Sequence, residues 1–215
     1  MPRVVAFLLL LCYGCLPAFA VLQPTKIFSD HMVLQRDTEV PVWGKADAGA
    51  TVTVAFAGQS VKAKADKQGR WKLKLDAMKA STEGRSLDIS SGGQRMLIKD
   101  VLVGDVWFAG GQSNMDYKVK GMARRLPEGK TLADRANYPA IRHRKVAEPH
   151  ASAPQTDLTG GSWVVCTPKS VHGLSGVAFV FARRLHLELK IPIGVIDCAW
   201  GGTPIEPYVP ANAFK

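Results

Sequence analysis

The residues with the clearest chemical potential are Gly110-Gly-Gln-Ser-Asn-Met115, which follow directly on an apolar run ending at Ala109. A serine hydroxyl is a poor nucleophile alone and becomes effective when a neighbouring base activates it. The paired glycines before Ser113 permit a tight turn, and in α/β sheets ligands bind outside the carboxyl ends of the strands. A serine on such a turn projects its hydroxyl into that crevice. If a helix starts just beyond, its free backbone N–H groups can stabilise developing negative charge. The chemistry on offer is acyl transfer. The same pattern also suits a serine N-cap after an ordinary turn, and local pattern alone leaves both readings open.

The surrounding sequence must supply the strand that presents Ser113. Residues 40–98 read as β-structure. Thr51-Val-Thr-Val-Ala-Phe56, Val61-Lys-Ala-Lys-Ala65 and Trp71-Lys-Leu-Lys-Leu75 alternate with period two, separated by turn signals at Gly58-Gln59 and Gly69-Arg70. Short strands closed by such turns predict a small antiparallel β-sandwich over residues 21–99. The pattern changes near Asp100. Residues 101–109 form a continuous apolar run, as expected of a strand buried on both faces. Val177, Phe181, Leu185 and Leu189 recur every four residues and predict an amphipathic helix ended by Pro192. Residues 193–200 then predict a second buried strand, closed by Gly201-Gly202. Helix alternating with apolar strand argues for a parallel sheet in an α/β domain over residues 100–215. Residues 118–161 are polar and rich in Pro and Gly, and read mostly as loop with room for one short helix or strand. No internal repeat is present.

Residues 1–20 carry Arg3, an apolar run and a small-residue stretch, Pro17-Ala-Phe-Ala20. This reads as a cleaved secretory signal, too short to span a bilayer. The expected address is secreted or periplasmic, with a lysosomal one as the alternative, and without stable membrane insertion once the signal is removed. The 215-residue chain has a formal net charge of +10, and losing Arg3 with the signal leaves +9. The basic residues are dispersed rather than gathered beside aromatics, which argues against nucleic acid as a partner. The densest cluster, Arg142-His-Arg-Lys145, reads as a solvated face. Of four cysteines, Cys166 and Cys198 remain after signal removal. They read as two buried free thiols, with a disulfide as the alternative. Neither has a ligand-spaced partner, so no metal site is expected.

Three separated blocks carry a family resemblance. Gly104-Asp-Val-Trp-Phe-Ala-Gly-Gly-Gln-Ser-Asn-Met115 resembles the nucleophile block of the sialate O-acetylesterase family, within the SGNH hydrolases. Ile27-Phe-Ser-Asp-His-Met-Val-Leu-Gln-Arg36, with Val40-Pro-Val-Trp-Gly44, resembles the start of that family's β-sandwich. Trp163-Val-Val-Cys166 through Gly194-Val-Ile-Asp-Cys-Ala-Trp-Gly-Gly-Thr-Pro-Ile-Glu206 resembles its segment after the nucleophile. The resemblance implies a mixed fold, an antiparallel sandwich followed by an incomplete SGNH-like α/β domain. It also implies hydrolysis of O-acetyl esters on sugars, sialic acids or related ones, without metal or organic cofactor. Ser113 would attack the acetyl carbonyl and form an acetyl-enzyme, with its own N–H in the oxyanion hole. Gly201 or Gly202 is the candidate second donor, or the pair is a plain turn. Gln112 and Asn114 would brace the loop. Trp107 reads as core, Trp200 stays open between core and sugar pocket, and Glu206 reads as a solvated carboxylate.

The sequence departs from that family in lacking its later Gln/Gly/Glu/Ser and Asp-x-x-His blocks. The histidines are His31, His143, His150, His172 and His186, and no spacing assigns any of them as the base. Either the chain is the front part of a longer enzyme, which is the expectation, or it is a short product that only binds. The rivals to an esterase are an exported, non-catalytic glycan-binding protein and a basic protein that holds acidic polymers by charge.

Overall fold

The computed structural model describes residues 21–147, 153, 155–209 and 211–213. The proposed signal segment, Cys12, Cys15, His150 and the last two residues lie outside them. Seven strands come first: β1 (Leu22–Pro24), β2 (Val33–Gln35), β3 (Val40–Ala46), β4 (Thr51–Phe56), β5 (Gln59–Lys64), β6 (Arg70–Leu75) and β7 (Ser81–Ser91). Then come β8 (Gln94–Gly111), α1 (Ser113–Asp116), α2 (Val119–Arg125), α3 (Pro127–Asp134), β9 (Tyr138–Lys145), β10 (Val164–Cys166), α4 (Gly176–Leu189) and β11 (Ile193–Ala199). The fold is mixed α/β.

Strands β1, β3 and β6 form one antiparallel sheet, and β5, β4 and β7 pair antiparallel onto the first part of β8. Period-two alternation explains both sheets. Val42, Val52, Val54, Trp71, Leu73, Leu75, Leu87 and Ile89 all point into one shared apolar core, and the residues between them point to the opposite face of their sheets. At its far end β8 pairs in parallel with β11, which pairs in parallel with β9, and β10 closes the edge antiparallel.

One 18-residue strand therefore serves both parts of the molecule. Between them, around Asp100, the register against β7 shifts and Asp100 takes a φ of +53°. An irregularity of this kind bends a strand and raises its twist. Asp100 is held there by Arg142 Nη1 at 2.6 Å and by His31 Nδ1 at 2.7 Å. These contacts, Arg142 foremost, keep its carboxyl below the usual carboxylate range.

The structure revises four readings of the sequence. The apolar run of residues 101–109 is buried through Gly104, but Trp107 and Phe108 are 43% and 65% exposed, so Trp107 is not core. Helix α4 turns Gly176, Ala178, Phe179 and Ala182 inward with Leu185 packed partly against them, while Val177, Phe181 and Leu189 face outward. Residues 118–161 hold two helices and a strand rather than mostly loop. Finally, Arg142, His143 and Arg144 are buried on β9, not solvated. Arg142 is neutralised by Asp100, and Arg144 donates to the Gly160 carbonyl at 3.0 Å.

Cys166 and Cys198 are free thiols, and burial pushes their pKa values up to about 12 and about 11. Burial also lowers His143 to about 4, against a smaller opposing pull from Asp197. His143 is thus neutral in the fold but titrates near 6.5 when unfolded. Its contribution to stability is complete above pH 6.5 and is lost as pH falls from 6.5 towards 4, by about 3 kcal/mol. Denaturant unfolding at pH 7.5 and 4.5 should show that loss in the parent protein and a clearly smaller one in His143→Leu. Equal pH dependence in the two proteins would refute the assignment.

Candidate functional site

The site grows out of the parallel pairing of β8 and β11. Ala199 lies opposite Gly111, so both strands leave the sheet at the same level. Gly111 has a φ of +145° and Gly202 one of +80°, conformations that side-chain-bearing residues rarely adopt. After Gly111 the chain turns through Gln112 into α1, which puts Ser113 at the carboxyl end of β8 with its side chain exposed. After Ala199 it turns through Trp200 into Gly201-Gly202.

Several hydrogen bonds lock the two turns together. The Gly111 carbonyl accepts from Trp200 N–H at 2.9 Å and from the Tyr208 hydroxyl at 2.6 Å. The Gly201 N–H donates to Asp116 Oδ2 at 3.2 Å. Gln112 Oε1 accepts from the Ser113 N–H at 2.6 Å and also from the Ser113 hydroxyl. A substrate oxygen approaching the Ser113 N–H must therefore displace the Gln112 oxygen. Of the two glycine candidates, Gly201 has its N–H committed to a carboxylate, whereas Gly202 is exposed and its N–H bonds to no described residue. Asn114 is exposed, Trp200 is half-buried and Glu206 is exposed.

Beneath α1 lies a charged cluster that motif reading did not single out. Lys118 Nζ lies 2.8 Å from Asp116 Oδ1 and 3.3 Å from Asp197 Oδ2. Lys145 Nζ lies 3.4 Å from Asp116 and 3.7 Å from Asp197, and it also donates to the Ala199 carbonyl. Asp197 is fully buried. Burial alone would raise the Asp116 pKa, but Lys118, the Gly201 N–H and Lys145 together hold it below the usual range. A signal was available in the sequence. Asp197 interrupts an apolar strand, and a carboxylate in that position requires cationic partners.

The structure brings no histidine to Ser113 among the described residues. His31 bonds to Asp100, His186 Nδ1 lies 2.8 Å from the Ile191 carbonyl, and buried nitrogens of His143 and His172 lack partners. Among the described residues no group of three or more His, Cys, Asp or Glu side chains is placed to hold a metal.

No protein-family model matches the chain. A solved carbohydrate acetylesterase from Xanthomonas citri superposes with a TM-score of 0.82 at 36% identity, over 89% of this chain and 44% of that one. The fold is thus that of a carbohydrate acetylesterase structure. Among curated proteins, the sialate O-acetylesterase of Rattus norvegicus is 34% identical over 86% of this chain, and that of Homo sapiens 33% identical over 87%. The chain is accordingly a homologue of the sialate O-acetylesterases, as its three sequence blocks suggest. It spans 37% and 38% of the length of these two relatives.

The cluster gives a direct prediction. Replacing Asp197 by Ala takes a fully buried carboxylate away from Lys118 and Lys145 and should lower stability by about 3 kcal/mol. The exposed pair Lys130–Asp134, 2.6 Å apart on α3, is a control, and its Asp134→Ala variant should cost under about 1 kcal/mol. Urea unfolding of both variants at pH 7.5 measures the difference, and similar losses in the two would contradict the cluster's role.

Proposed function

We propose that this chain carries the nucleophile region of an exported carbohydrate O-acetylesterase. On this reading, the two sheets that share the first core form the β-sandwich, and β8, β9 and β11 belong to an SGNH-type parallel sheet. The observation that carries the proposal is the exposed Ser113 at the end of β8, set beside the Gly201-Gly202 turn of the neighbouring parallel strand. Homology to proteins named for acetyl ester hydrolysis supports it.

The reaction follows from the chemistry of the site. The Ser113 oxygen attacks the acetyl carbonyl of an O-acetylated sugar while its proton passes to a base. The carbonyl oxygen, now negatively charged, takes the Ser113 N–H from Gln112, and the Gly202 N–H is the second donor. Collapse of the tetrahedral adduct breaks the bond to the sugar oxygen, which takes the proton from the base and departs as a hydroxyl, leaving an acetyl-enzyme that water hydrolyses to acetate. Asp116 acts as a positioning residue, since it ties α1 to Gly201 and to two lysines.

The base is what the described residues do not supply to Ser113. A serine hydrolase without its base keeps only a small part of its rate enhancement. The chain alone should therefore release acetate from an O-acetylated sugar at no more than about one-thousandth of the rate of a full-length sialate O-acetylesterase. Ser113→Ala should bring any residual release to background. A rate equal to that of the full-length enzyme would overturn the missing-base reading, and residual release unaffected by Ser113→Ala would overturn the nucleophile.

A further inference from the structure

An open groove of about 870 Å³ lies on the outer face of the β1-β3-β6 sheet, and Ser113 is not among its lining residues. Strand alternation builds it. The inward residues Val42, Gly44, Trp71 and Leu73 are buried, so Pro41, Trp43 and Lys45 of β3 and Arg70 and Lys72 of β6 face out. Trp43 stands directly opposite Lys72, and Lys45 opposite Arg70 and, on the other side, Gln23. An indole thus sits in mid-sheet with a lysine across from it and another two residues along. The ring is 37% exposed and is fixed from below by edge-to-face packing on Phe28, with centroids 4.9 Å apart.

The charges of the groove are unequal in how far they are already satisfied. Asp66 is taken by Arg70 Nε at 2.8 Å and by the N–H groups of Gln68 and Arg70. Asp157 accepts from the N–H groups of Lys26 and Leu158. Lys45 and Lys72 have no ion-pair partner among the described residues. The groove therefore offers a rigid aromatic face, neutral amides at Gln23 and Gln68, and two lysines whose charge exceeds that of the Asp157 carboxylate by one. A pyranose ring presents an apolar C–H face that covers an indole, and its hydroxyls suit amide groups. The cations add selection for negative charge. A second cavity of about 380 Å³ shares Thr25, Trp43, Thr156 and Asp157 with the groove and reaches Phe108 and Cys198, on the two strands whose ends carry Ser113 and Gly201.

We propose that this outer sheet face binds a carboxylated sugar unit of a glycan, with Trp43 stacking under the ring and Lys45 and Lys72 holding the carboxylate. The site does not depend on Ser113 chemistry and stands whether or not the chain hydrolyses esters. The test is calorimetric titration of the protein with tetragalacturonate, with maltotetraose as a neutral sugar and tetraglutamate as a non-sugar anion. Tetragalacturonate should bind the parent protein and Ser113→Ala equally. The double variant Lys45→Gln/Lys72→Gln and the single variant Trp43→Ala should each weaken it about tenfold. The lysine variant changes only solvated side chains, so it decides the matter if loss of the Phe28 packing unfolds Trp43→Ala. Absence of tetragalacturonate binding, equal binding of maltotetraose or tetraglutamate, or an unchanged affinity in the double variant would each overturn the proposal.

Discussion

The parallel register between β8 and β11 is the interaction on which the rest of the structure depends. It places Gly111 against Ala199, and every relation between Ser113 and the Gly201-Gly202 turn follows from that pairing. Shifting a strand by one residue exchanges its two faces. Here a shift would also part the Gly111 carbonyl from its two donors, Trp200 and Tyr208, and pull the Gly201 N–H from Asp116. The register is secured on the other side as well, because β11 pairs in parallel with β9 over five residues. Position at the site is therefore a property of three strands together.

Buried charge is the second organising feature. Arg142, Arg144 and Asp197 all lie in the interior of a small parallel sheet, where ions are costly unless paired. Each has a distinct partner. Arg142 is matched by Asp100, at the bend of β8, and Asp197 by Lys118 and Lys145. Arg144 relies on the Gly160 carbonyl and the Ser29 hydroxyl. These contacts tie β9 to the bend, to the loop before β10 and to the helix that carries Ser113. Replacing them with apolar residues would preserve burial but remove the directional bonds that choose one arrangement of these segments.

Much of this was legible in the sequence, for reasons that differ by segment. Period-two alternation marks β4 and β6 within a residue of their ends, because one face is buried and the other wet. The apolar run before Gly201 marks β11 for the opposite reason, since it is covered on both sides. Sequence pattern failed where tertiary contact decided the outcome. The fourfold spacing of Val177, Phe181, Leu185 and Leu189 suggests an inward stripe, but the buried face is made by Gly176, Ala178, Phe179 and Ala182, and of the stripe Leu185 packs against that core. The basic run on β9 reads as surface because its counter-ions are distant in sequence, Asp100 lying 42 residues from Arg142. At the site, Ser113 is visible from its glycines. Asp116 and Tyr208 acquire roles only once β8 and β11 are side by side.

The two thiols carry a consequence of their own. With pKa values near 11 and 12, Cys198 and Cys166 hold almost no thiolate at neutral pH, roughly one part in several thousand or less. Oxidants and disulfide-exchanging reagents act on the thiolate, so both sulfurs are chemically quiet. No bridge joins these two sulfurs, and what slows their exchange with disulfides is burial, which disfavours the thiolate.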